Sequence, residues 1–295
     1  MPGFRDDEPK TVRIKTHKRT DDPAEENGPD TGVNPVAQDG SGLNEEDLFK
    51  GLKTMLPFFL ELELPHDAGQ ALSLVSSAEP PPFIAAVRED TRGGARAMQT
   101  QRRAAALKEL EIPFCGLLGC YQPSSGSVVV YNQGINWVLS TFEQDFIDAI
   151  PLGLPGRPLR DLYVQDPEQM RRALRIYLRW LLRELAILHG LGHVLVHLAR
   201  IEDGAWKAAS GFESLPVKVH EHLAQSIVAT ALSMKDVTAP FPRSDLVALF
   251  HRLSLNLPAY CRAWAFGLPW SGKDDVADVL RAVRQNQMPI DFATL

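Results

Sequence analysis

Cysteine is scarce in this chain of 295 residues: there are three, Cys115, Cys120 and Cys261. An odd number with no Cys-x-x-Cys pair excludes a disulfide framework, and Cys115 and Cys120 do not have a usual zinc spacing. Three reduced, mostly buried thiols in a cytosolic protein are the expectation. Long apolar runs are missing too. The start, Met1-Pro2-Gly3-Phe4-Arg5-Asp6-Asp7, lacks the apolar core of a signal peptide. No unbroken apolar run approaches the roughly 18 residues that span a bilayer, and the stretch Leu56 to Leu60 is interrupted by Pro57. These absences place the chain in the cytoplasm with no membrane partner. Basic charge is not in excess either. The 31 Lys and Arg against 37 Asp and Glu give a net charge of −6, which favours solubility and argues against a nucleic-acid binder.

What is present is the balance of an ordinary globular protein, 44% hydrophobic and 23% charged, in a chain long enough to bury a sizeable core. Residues 1–43 are the exception. They are rich in Asp, Glu, Lys, Pro, Gly and Thr with scattered aliphatics, the composition of a disordered polar tail. A basic cluster, Lys10 to Arg19, is followed by the acidic run Asp21 to Asp30, which largely cancels its field.

Order is expected to begin at Asn44, an N-cap for Glu45-Glu46-Asp47-Leu48-Phe49, whose acids suit a helix N-terminus. Residues 44–110 form an N-terminal helical segment, interrupted at Pro80-Pro81-Pro82 and Gly93-Gly94, with a helix from Arg96 to Leu110. The period then changes. Phe114 to Tyr121 and Ser127 to Tyr131 are β-prone runs around Pro123-Ser124-Ser125-Gly126, and they predict a hairpin. Asn132 to Phe146 reads as a helix. Asp166-Pro167-Glu168-Gln169 is the strongest helix start in the chain, because Asp can cap and Pro fits the first helical position. From there an apolar stripe runs through Leu174, Leu178, Leu181, Leu185 and Leu188 toward Val196. Arg171, Arg175, Arg179 and Arg183 follow one another at i+4 on another face, read as a solvated one.

That same helix carries His189, His193 and His197. His189 and His193 stand about 40° apart around the axis, close enough to hold one metal ion, and they continue the buried stripe. His197 lies about 80° round, at the edge of that face. Two imidazoles one turn apart supply two corners of a tetrahedral zinc site. The leading third ligand is Glu221, 28 residues after His193 in His220-Glu221-His222-Leu223-Ala224-Gln225, itself a second helix. Against this stands the plainer reading, in which a histidine pair on an apolar helix packs as core. The third histidine and the downstream glutamate helix tip the balance toward metal.

The stretch from Cys115 to Gln225 resembles the gluzincin group of zinc metallopeptidases. The likeness rests on Gly119-Cys120-Tyr121, the strand Val128 to Tyr131, Leu188-His189-Gly190-Leu191-Gly192-His193-Val194-Leu195-Val196-His197-Leu198, Trp206, Phe212 and Glu221-His222-Leu223-Ala224-Gln225. In that group a His-Glu-x-x-His helix is followed by a helix bearing a glutamate ligand. The resemblance therefore implies an α+β fold, helix-dominated and zincin-like, with a small β-sheet or hairpin beside the motif helix. It also implies zinc held by His189, His193 and Glu221, with His197, His220 and His222 around it, and a substrate-aligning edge strand at Val128 to Tyr131. Residues 111–235 would form this core and residues 236–295 a helical closing segment.

The departure is Gly190, which stands where the family has its catalytic glutamate. That residue supplies general acid–base help worth ~10²–10⁴ in rate, and glycine can supply none. Glu184 is no substitute, pointing about 140° away from His189. His220, His222 and Asp203 are further candidates without a geometry. Close packing accounts for Gly192, whereas for Gly190 the residues suggest only tolerance of a lost function. The expected function is a catalytically impaired metallopeptidase homologue that still binds zinc and has a peptide or protein ligand. An active hydrolase with another base and a metal-free helical scaffold are the alternatives.

Overall fold

The computed structural model describes residues 44–60, 62–64, 66–81, 84, 105, 112–149, 167–198, 200–201, 216–233 and 243–258. These fall in one compact unit that begins at Gly42. The polar segment 1–43, the helix expected over Arg96 to Leu110 (Ala105 apart), Asp203, Trp206, Phe212 and Cys261 lie outside the described residues.

Helix α1 spans Glu45–Phe59, and its cap is the expected one: the Asn44 side chain accepts from the Glu46 N–H at 3.0 Å. Strand β1 (Leu62–Glu63), helix α2 (His66–Ala71) and strand β2 (Ser73–Ser77) follow. After the short α3 (Phe114–Leu117) come β3 (Gly119–Gln122), β4 (Ser127–Tyr131) and α4 (Asn132–Ala149). The long α5 (Pro167–Leu198), β5 (Arg200–Ile201), α6 (Val217–Ser233) and α7 (Arg243–Ser254) complete the described elements. Helix α5 begins with Pro167 at its first position, where the missing N–H breaks no bond.

The architecture is α+β and helix-dominated. Strands β3 and β4 form the expected hairpin, antiparallel with Tyr121 opposite Val128 and Cys120 opposite Val129. Its turn ends on Gly126, whose φ of 63° suits a residue without Cβ. The hairpin is shorter than expected, because Phe114–Leu117 is a helical turn and not strand. Strand β2 adds parallel to β4, giving the order β2-β4-β3. Val128 to Tyr131 is thus the central strand of this sheet and not the expected edge strand; among the described residues β2 and β3 hold the edges. A second, two-stranded pairing of β1 with β5 ties the end of α1 to the end of α5.

Helix α5 is the hub. Every residue from Trp180 to Val196 is buried, and α1, α4, α6, α7, β3 and β4 all pack on it. The expected stripe is inside, with Leu178, Leu181 and Leu185 fully covered. By length and composition Arg171–Leu198 could cross a membrane, but 89% of that window is buried inside the protein. Burying each of these leucines contributes about 1.5–3 kcal/mol.

The arginine row is a solvated face only at its start, where Arg171 and Arg175 are exposed. Arg183 is 4% exposed, ion-pairs with Glu45 of α1 and donates to Asn132 of α4 at 3.0 Å. One turn earlier Arg179 donates to Asn136 at 2.9 Å, and Arg175 lies 3.7 Å from Glu143. The regular spacing serves a polar seam between antiparallel α4 and α5. Only Arg171 and Arg172 among these cations are exposed without a described ion-pair partner.

Candidate metal centre

The i, i+4 spacing brings the Nε2 atoms of His189 and His193 to 3.0 Å from each other, with the rings nearly perpendicular. Helix α6 supplies the third group. Glu221 places Oε2 3.5 Å from His189 Nε2 and Oε1 3.4 Å from His193 Nε2. All three side chains are buried: His189 and Glu221 fully, His193 to within 5%. Ligands about 2.1 Å from a tetrahedral ion stand roughly 3.4 Å apart, so the three donors already have the spacing of a metal site. This group can hold a metal ion, and it is the expected trio.

Close approach of α6 to α5 makes the meeting possible. A Cβ on Gly192 would stand 3.0 Å from the Ala224 carbonyl oxygen and 3.1 Å from its Cα. Gly192 is therefore a contact glycine, and the crossing it permits lies one residue from His193 and one helical turn from Glu221.

Gly190 is a contact glycine as well. A Cβ there would lie 2.5 Å from Val128 Cγ1, on the central strand of the sheet. Val128 has a stiff χ1 and is fully buried, so it has little freedom to retreat. This overturns the expectation that Gly190 has no packing reason. The position of the family's glutamate is closed by a side chain of the sheet, and a longer residue does not fit without rearrangement.

Electrostatics suit a cation. Burial raises the Glu221 carboxyl, but the charges of His189 and His193 and their hydrogen bonds outweigh it and hold the group well below its ordinary range. Burial lowers His193, the bond to Glu221 opposes this, and the charge of His189 reinforces it. The two directions favour an ionised Glu221 beside a neutral His193. That is the protonation metal binding requires.

The remaining histidines divide. The His220 ring centroid lies 6.0 Å from that of His193, beside the trio. His222 is fully buried on α6. His197 is turned to the hairpin, its Nδ1 3.1 Å from the Tyr121 hydroxyl, whose pKa burial pushes up to about 12. It belongs to the helix–sheet contact. Glu184, fully buried elsewhere on α5, does not join the group.

Sequence reasoning missed Cys120 and Tyr131. The Cys120 thiol lies 3.1 Å from the Tyr131 hydroxyl. Burial raises its pKa, the bond to Tyr131 opposes this, and the negative charge of Glu221 adds to the rise, so the pair sits within electrostatic reach of the trio. The signal was available in the hairpin register: Cys120 faces Val129, and Tyr131 is its diagonal neighbour on the same face.

Comparison with protein-family models, curated proteins and solved structures finds no match to this chain.

Proposed function

We propose that this chain is a zincin-like zinc-binding protein in which peptide hydrolysis is lost or strongly weakened, and which serves binding of a peptide or protein ligand instead. The observation that carries this reading is the His189–His193–Glu221 trio standing beside a glycine whose Cβ position is filled by Val128. A metal-free core is the poorer account. The His–Glu contacts of 3.4 and 3.5 Å are longer than the ~2.7–2.9 Å of a charge-assisted hydrogen bond and match ligands spaced around one ion. His189, His193 and Glu221 would hold the ion, and zinc there would supply Lewis acidity, lowering the pKa of a bound water toward ~7. Among the described residues no further carboxylate joins the trio to move the proton.

The burial of the trio supports the same view. Catalytic zinc sites keep an open position for water and substrate, whereas here the most exposed member is 5% accessible. The competing reading of an active hydrolase has one observation in its favour, the neighbouring ring of His220. Zinc-loaded protein tested against a broad peptide library separates the two. No chelator-sensitive cleavage is expected. Turnover that a chelator abolishes and His220→Ala removes overturns the impaired reading in favour of His220 as base.

A further inference from the structure

Away from the metal centre, α4 and α5 part at the far end of their arginine seam and leave a cleft of about 410 Å³. It is lined by Ser140, Thr141, Glu143, Gln144 and Ile147 of α4 and by Arg171 and Arg175 of α5. Such a volume falls within the roughly 300–1,000 Å³ of small-molecule sites. From this cleft we infer a binding site for a small organic phosphate monoester.

Charge is the first argument. Arg183 and Arg179 are engaged by Asn132 and Asn136, but the next two members of the row face the cleft. Arg171 has no ion pair with a described residue, and Arg175 meets Glu143 only through Nε, at 3.7 Å and with a side chain 44% exposed. Among the described lining residues two guanidinium groups stand against one carboxylate, an excess of positive charge. One helical turn apart, they can clamp a single anion from two directions.

The second argument is a buried hydroxyl. Thr141 is 4% exposed, lines the cleft, and its Oγ1 has no hydrogen-bond partner among the described residues. Buried hydroxyls are normally satisfied, and an acceptor oxygen brought by a ligand would satisfy this one once a χ1 rotation turns it from its closed position toward the cleft. Donors arriving from α4 and from α5 match a tetrahedral oxyanion better than a planar carboxylate, which offers two oxygens in one plane. Ile147 and the size of the cleft leave room for an organic group beyond the phosphate.

The test is a titration of the full chain, in buffer without phosphate or sulfate, with ribose 5-phosphate, inorganic phosphate and free ribose at constant ionic strength, followed by calorimetry. Saturable binding of ribose 5-phosphate, tighter than that of inorganic phosphate, is expected, with none for ribose. Arg171→Gln combined with Arg175→Gln should weaken it by roughly 100-fold, and Thr141→Val by about fivefold. Arg171 and Arg175 are exposed, so the double variant should keep the native circular dichroism. Wild-type protein treated with a chelator and dialysed should bind ribose 5-phosphate with unchanged affinity, which separates this cleft from phosphate captured by a metal. Binding of ribose, equal affinity for inorganic phosphate and the ester, or wild-type affinity in the folded double variant each overturn the assignment. So does the absence of saturation with ribose 5-phosphate.

Discussion

Gly190 rests on Val128: the hydrogen that glycine carries in place of a side chain points at a β-branched residue whose Cγ1 is 2.5 Å from where a Cβ would stand. This contact fixes how closely the motif helix lies on the sheet. Helix propensity alone says that Gly190→Ala stabilises by about 1 kcal/mol. Overpacking a rigid contact costs about 1–3 kcal/mol, so the substitution should destabilise. Val128→Ala, harmful by itself, should relieve part of that loss, leaving a coupling of about 1 kcal/mol in a double-mutant cycle. Urea unfolding measures all three variants. Gly190→Glu should be worse than Gly190→Ala and restore no peptide hydrolysis. A Gly190→Ala chain more stable than wild type contradicts the contact.

Gly192 gives a second, separable prediction. A methyl group there meets the backbone of Ala224 at 3.0–3.1 Å, and the backbone yields only by moving α6 away from α5. Ligand groups need to stay within about 0.5 Å of their productive geometry. Gly192→Ala should therefore weaken zinc binding by about tenfold or more, measured by competition with a chromogenic chelator. Unchanged zinc affinity would show that the crossing does not position Glu221.

The third prediction concerns pH. Burial raises the carboxyl of Glu184 from an ordinary 4.5 to about 8. Between those values the folded chain holds a proton that the unfolded chain has released. Stability from this group is therefore fully present below about 4.5 and falls as pH rises toward 8. Glu184→Gln keeps the shape and removes the titration. Its stability relative to wild type should grow by about 1.4 kcal/mol per pH unit inside the window. Denaturant unfolding from pH 5 to 9, on both proteins, reads the difference; parallel curves would rule out the buried, titrating carboxyl.

Much of the centre was legible in the residues because its signals are local. A spacing of four puts His189 and His193 on one side of a helix, and the apolar stripe beneath them says that this side faces inward. His220-Glu221-His222 on a second helix gave the third member of the trio. Asn44, Pro167 and the hairpin turn announced themselves through cap and turn chemistry. What was not legible depends on distances across the fold. The row Arg171 to Arg183 shows that four cations share a face, but not that α4 covers the upper part of it with Asn132 and Asn136. The contact of Gly190 with Val128 joins residues 62 positions apart in the chain, and no periodicity reports it. The strand order is equally non-local, since β2 arrives beside β4 in parallel from an earlier part of the chain.

The central claim is that His189, His193 and Glu221 hold one zinc ion. It is tested most directly by metal analysis of protein purified without a histidine tag, paired with melting temperatures before and after zinc is removed and returned. One zinc per chain is expected. Melting should fall on chelation and recover on adding zinc, because a ligand of the folded state stabilises by mass action. Glu221→Gln and His193→Ala should each lose the metal and the recovery. Wild-type protein that carries no zinc, and whose melting temperature zinc leaves unchanged, would contradict the account.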